Sequence, residues 1–253
     1  LSGAFKPDYV LPFKLDKDAA VAALKKHYGG KKLLPRAFSN ENHIREVKGV
    51  YVPFWLYDGT AEVDVTCHGT QVSAYSTAKE NVTVTNHYQV RRAGTVQFER
   101  VPVDASSKMP DDHMDAIEPF DYEALKPFST AYLPGFLADK YDVSMEDCAE
   151  RADRRCEDTA VELMEDSARE GYTACTVESR DVKLRRGKVH YALLPVWLLS
   201  TQWKGQNFLF AMNGQTGKLV GDLPLDRGLY WKHFGRITAI VAAAVTAACV
   251  LFL

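Results

Sequence analysis

The sequence predicts an α+β fold with two related antiparallel-sheet units, each preceded by a helix, followed by a C-terminal transmembrane helix. Three observations carry that expectation. Long stretches rich in Val, Thr, Tyr and Phe lie on both sides of one strongly amphipathic helix. Val50-Tyr51-Val52-Pro53-Phe54-Trp55-Leu56 aligns with Ala192-Leu193-Leu194-Pro195-Val196-Trp197-Leu198, with Pro, Trp and Leu in matching places. The last seventeen residues, Ile237 to Leu253, carry no charge.

Asp16 to Tyr28 reads as a short helix. Asp16 caps it, Val21, Leu24 and Tyr28 share a face, and Gly29-Gly30 ends it. From Val47 the texture turns strand-like, with strands predicted at 50–57, 61–75, 81–91 and 95–103. Asp58-Gly59, Ala78-Lys79 and Ala93-Gly94 are the predicted turns, and connections this short imply an antiparallel meander. Pro110, Pro119, Pro127 and Pro134 divide residues 104–143 into short pieces, with helical turns expected at His113–Ile117 and Tyr122–Leu125.

The clearest helix follows. Ser144 and Asp147 form a variant capping box. Cys148, Ala152, Cys156, Ala160, Leu163 and Ser167 form its stripe, and Gly171 stops it. Strands resume at 173–184, 188–203, 207–212 and 218–222, with Arg186-Gly187, Lys204-Gly205 and Asn213-Gly214 as hairpin signals. The repeated Pro-Trp strings imply two units, each centred on a Pro-bulged strand, and Tyr9-Val10-Leu11-Pro12-Phe13 is a weaker third echo. The expected divisions are a first unit at 1–103, a connector at 104–143, a second unit at 144–226, a juxtamembrane segment at 227–236 and a truncated transmembrane helix at 237–253.

About 20 apolar residues span a bilayer, with about 17 at the lower limit. Tyr230, Trp231, Lys232 and Arg236 precede the uncharged run and are expected at the membrane interface. Charge is uneven. Residues 1–50 sum to +5, 51–103 to −1, 104–170 to −12 and 171–236 to +6. A basic flank beside a membrane helix predicts that the soluble part lies on the cytoplasmic side. No signal peptide is expected after Leu1, and because both ends look cut a lost N-terminal segment remains an alternative. Overall balance argues against DNA or RNA as a partner of this segment.

Few residues suggest chemistry. The five cysteines, Cys67, Cys148, Cys156, Cys175 and Cys249, include no CxxC pair and read as small buried hydrophobes. Asp111, Asp112, His113 and Asp115 are dense enough in oxygen to hold Mg²⁺ or Ca²⁺, yet the EF-hand spacing is absent and a capped loop explains them. There is no GxSxG elbow, and Ser106-Ser107-Lys108 lacks the companion motifs of a serine–lysine nucleophile. Asn213 to Lys218 fails the phosphate-loop spacing and reads as a hairpin turn. No catalytic, cofactor or metal residue is assigned. The apolar run Pro134–Asp139 either plugs the core or forms a partner-binding loop through Pro134, Phe136 and Leu137.

The strings Gly49–Leu56, Phe98–Asp104, Ile117–Asp121, Tyr132–Leu137 and Phe210–Lys218 together resemble a bacterial family of membrane-attached proteins, often labelled transcription-factor-IIB-type zinc-ribbon proteins, or loosely phage replication or helicase-like proteins. The resemblance covers nearly all of residues 1–236. It implies N-terminal zinc ribbons, which this chain lacks, so zinc belongs to no residue here. It also implies flotillin-like or phage-shock-type protein partners and a role in envelope stress. The function expected is a membrane-anchored, non-enzymatic adaptor. The alternatives are a nucleic-acid-linked zinc-ribbon protein and an unrecognised membrane-tethered hydrolase.

Overall fold

Three strands of unusual length organise the molecule. The computed structural model describes residues 6–31, 33–35, 38, 44–77 and 80–252. Its elements are β1 (Tyr9–Val10), α1 (Lys17–Tyr28), β2 (Ile44–Ser76), β3 (Asn81–Asp104), α2 (Asp111–Ala116), β4 (Lys126–Pro127), β5 (Leu137–Ala138), α3 (Met145–Arg169), β6 (Ala174–Trp203), β7 (Gln206–Asn213), β8 (Leu219–Gly221) and α4 (Arg227–Phe252). β2, β3 and β6 run 33, 24 and 30 residues, against about 3–10 for ordinary strands. The predicted turn at Ala78-Lys79 lies outside the described residues.

This length corrects the predicted strand breaks. Asp58-Gly59, Ala93-Gly94 and Arg186-Gly187 are not turns. At Tyr57/Gly59 the ladder shifts register, so β2 bulges and continues. Gly187 lies against that bulge, where a Cβ would come within 3.0 Å of the Asp58 carbonyl oxygen. Gly94 admits Met164 of α3, whose Cε would lie 3.3 Å from a Cβ. Lys204-Gly205 does reverse the chain. Both residues have positive φ, 49° and 79°, and Trp203 pairs with Gln206 across them.

Among the described residues, the two antiparallel-sheet units expected from the sequence are instead one eight-stranded mixed sheet. β2 and β6 pair antiparallel along its centre, while β1 with β6 and β5 with β2 are parallel. The repeated strings pair with each other: Val52 faces Leu194, Tyr51 faces Pro195 and Pro53 faces Leu193. A local two-fold axis through the Val52–Leu194 pair relates the flanking elements. β5 and then β3 border β2 as β1 and then β7 border β6. Each proline sits where the outer partner changes, so its missing N–H removes no ladder bond.

Hydrogen bonds repeat the symmetry. Ala105 N donates to Pro53 O at 2.9 Å, and Gly214 N to Pro195 O at 2.8 Å. Trp55 Nε1 donates to Val143 O at 3.1 Å, and Trp197 Nε1 to Leu15 O at 3.0 Å. The helices correspond as well. Asp16 caps α1 and Ser144 caps α3. Ala20, Leu24 and Tyr28 are buried on α1 as Cys148, Ala152 and Cys156 are on α3.

Near the axis the sheet is covered on both faces. α1 and α3 cover one, over Trp197 and Trp55 respectively. Met114 of α2, Ile117 and Phe120 cover the other, over Val52, Phe54 and Leu194. Past the bulge, β2, β3 and β6 continue as a three-stranded arm whose apolar face is covered, among the described residues, by the second half of α3 and Tyr172. There the predicted stripe needs correction: Val161 and Ala168 are buried, whereas Leu163 is 50% exposed and Ser167 is exposed.

The predicted transmembrane helix is also corrected. Among the described residues, no helix is long and apolar enough to cross a membrane. α4 begins in charged sequence, with Arg227, Lys232 and Arg236 in its first part. The uncharged run stands at the lower length limit, and six of its seventeen residues are alanine. The plasma-membrane location and cytoplasmic orientation rested on that helix and fall with it.

Candidate functional site

The bulge that bends β2 also opens a cleft of about 460 Å³ between body and arm. Asp58, Gly59 and Glu62 of β2 line it with Glu99 and Arg100 of β3, Arg185, Gly187 and His190 of β6, and Tyr9 of β1. Arg100 has φ 58°, a left-handed conformation uncommon for a residue with a side chain. Its N–H donates to Asp58 Oδ1 at 2.9 Å, and its guanidinium donates to the Tyr122 carbonyl at 3.0 Å. His190 lies between two carboxylates, with Nε2 3.8 Å from Asp58 Oδ2 and Nδ1 4.0 Å from Asp8 Oδ2. Asp8 is held by the Tyr191 N–H at 2.9 Å. Both His190 separations exceed a hydrogen bond.

Such a cleft offers paired charges to a small polar molecule. Its lining holds no Ser or Cys, and its histidine stands beyond hydrogen-bond distance of both carboxylates.

A second cluster lies at the end of β3. Asp104 is 3% exposed and meets Arg151 at 2.8 Å. Arg151 also reaches Asp111 at 3.1 Å and Asp115 at 2.6 Å. Burial pushes the Asp104 carboxyl up to about 6 against the pull of Arg151, whose charge is shared three ways. Arg155 continues the network to Glu118 at 2.6 Å. Of the acidic cluster weighed as a cation site, Asp111 and Asp115 are therefore engaged with arginines.

The arm's tip is the third feature. Tyr75, Val84 and Tyr88, exposed by 57, 36 and 39%, continue the face that α3 covers nearer the body. Val72, 45% exposed, lies on the other face. Sequence alone missed both tip and cleft, because each depends on which strands continue through a glycine.

The residues singled out in the sequence fall elsewhere. Phe136 stacks on Phe13 at 4.1 Å between ring centres and packs against Trp197, while Pro134 and Leu137 stay exposed. Tyr230 and Trp231 cluster with Phe234 on the exposed surface of α4, and Lys232 and Arg236 are exposed beside them. Neither group joins the cleft.

Over 228 residues the chain is 38% identical to a Bacillus subtilis (strain 168) protein named "Uncharacterized protein YdjG", covering 90% of this chain and 67% of that one. The chain belongs to the YdjG family. No family model matches it, and no solved structure matches. The YdjG relative carries no assigned activity, so the zinc-ribbon and adaptor expectations take nothing from it.

Proposed function

We propose that this chain is a non-enzymatic adaptor that holds protein partners, with the three-stranded arm as its contact element. The observation behind this reading is an arm that outruns its covering helix and ends in exposed Val72, Tyr75, Val84 and Tyr88. Apolar and aromatic groups gathered on a projecting surface favour protein contact. The arm's edges add a second means of contact. Among the described residues, β3 has no outer strand partner, and β6 has none before Ala192. An extended segment can add to such an edge through main-chain hydrogen bonds.

The test is crosslinking and affinity purification of the full-length protein from its native host, comparing wild type with the Val72→Ser/Tyr75→Ser variant. A discrete, nuclease-resistant partner set retained by wild type and reduced at least tenfold by the variant is expected. An identical set with both proteins removes the arm from the reading, and a nuclease-sensitive set or none removes the adaptor. The variant should fold within about 0.5 kcal/mol of wild type, because both side chains are exposed.

A further inference from the structure

Two thiols lie side by side within the arm. Cys67 of β2 stands opposite Val177 of β6, and Gly69 stands opposite Cys175, so the cysteines are diagonal neighbours across an antiparallel pair. Both positions lie on the face of the arm that packs against α3. Both belong to the cluster beneath α3, Cys67 with no exposed surface and Cys175 partly exposed. The glycine facing Cys175 leaves room that the Tyr172 ring occupies, 2.9 Å from where a Cβ would stand. Burial, and then contact with Cys175, pushes the Cys67 thiol up to about 11, so Cys67 is a poor first nucleophile.

We propose that Cys67 and Cys175 form a peroxide-responsive dithiol that closes to a disulfide between β2 and β6. The more accessible Cys175, as thiolate, attacks one oxygen of hydrogen peroxide. An S–O bond forms, the O–O bond breaks, and the departing hydroxide takes a proton to become water. Cys67 then attacks the sulfenic sulfur of Cys175. An S–S bond forms, the S–O bond breaks, and the departing hydroxide leaves as a second water with the Cys67 proton. Peroxide accepts the two electrons that the thiols lose. The bond would fasten the start of β6 to β2 where the arm passes the end of α3. Cys148 and Cys156 are buried on α3, and Cys148 Sγ instead contacts the Asp104 carbonyl at 3.6 Å. The proposal does not rest on the adaptor reading.

The experiment treats the full-length reduced protein with hydrogen peroxide, blocks free thiols with iodoacetamide and maps peptides without reduction. A linked Cys67–Cys175 peptide pair, lighter by two hydrogens than the two thiol peptides, is expected. Cys67→Ser should instead accumulate a dimedone-reactive sulfenic acid at Cys175, and Cys175→Ser should leave Cys67 unoxidised. Three results would overturn the proposal: sulfinic acid at Cys175 of wild type with Cys67 still alkylated, no oxidation of either cysteine at peroxide levels that oxidise free glutathione, or oxidation of Cys67 in Cys175→Ser at the wild-type rate.

Discussion

The two halves around the Val52–Leu194 axis use the same scaffold and complete it differently. In one half, Trp55 packs with Tyr141 and Tyr191, at 5.0 and 5.2 Å between ring centres. In the other, Trp197 packs with Phe13 at 5.3 Å, but the position equivalent to Tyr191 is Gly49. Phe136 fills the space, and a Cβ on Gly49 would come 2.5 Å from its ring. The strand ends differ too. Asp104 is charged and tied to Arg151, while its equivalent Asn213 is neutral and donates to the Ile117 and Pro119 carbonyls at 3.0 and 3.1 Å. The first half also extends its hairpin into the arm and lengthens its helix from 12 residues in α1 to 25 in α3. What the halves share is the backbone frame set by Pro and Trp, and what diverged is whatever fills or prolongs it.

The largest effect expected is from the tryptophans. Trp55→Ala and Trp197→Ala should each cost about 3–5 kcal/mol in urea unfolding, because each leaves a cavity and an unpaired carbonyl. A cost below about 1 kcal/mol at either site would break the equivalence.

Asp104 comes next. Its folded pKa is raised, so its contribution to stability is fully present below the unfolded value and is lost as pH rises through about 6. Stability of the wild type should fall by up to about 3 kcal/mol from this group between pH 4 and 7. Asp104→Asn, which copies the other half, should flatten that part of the profile. An unchanged profile would show that Arg151 fully offsets the burial.

The smallest effect is at the substituted ring. Gly49→Ala should cost about 1–3 kcal/mol by overpacking, and less in a Phe136→Ala background. Additive costs would mean that Phe136 does not stand in for Tyr191.

Local signals were legible in the sequence. Asp16 and Ser144 cap helices because a side-chain oxygen satisfies N–H groups within three residues, a relation that sequence displays directly. The matched Pro-Trp strings were visible for the same reason. Long-range pairing was not. Gly59, Gly94 and Gly187 read as turns because glycine favours turns, yet here they serve a bulge and the close approach of α3. The cleft around His190 joins residues from four strands, and Cys67 meets Cys175 only through the β2–β6 register. The uncharged C-terminal run suggested a membrane span, yet among the described residues no helix is long and apolar enough to cross a membrane.

The central β2–β6 pairing has a consequence for how this chain is built. A two-fold axis between antiparallel strands is what a symmetric homodimer forms when each subunit offers the same edge to the other. Here both edges belong to one polypeptide, joined through the segment between Asp104 and Leu137. The interface is therefore always at high effective concentration, and each half is free to change without needing to remain complementary to a copy of itself. That freedom is what a helix twice as long and an arm on one side only require.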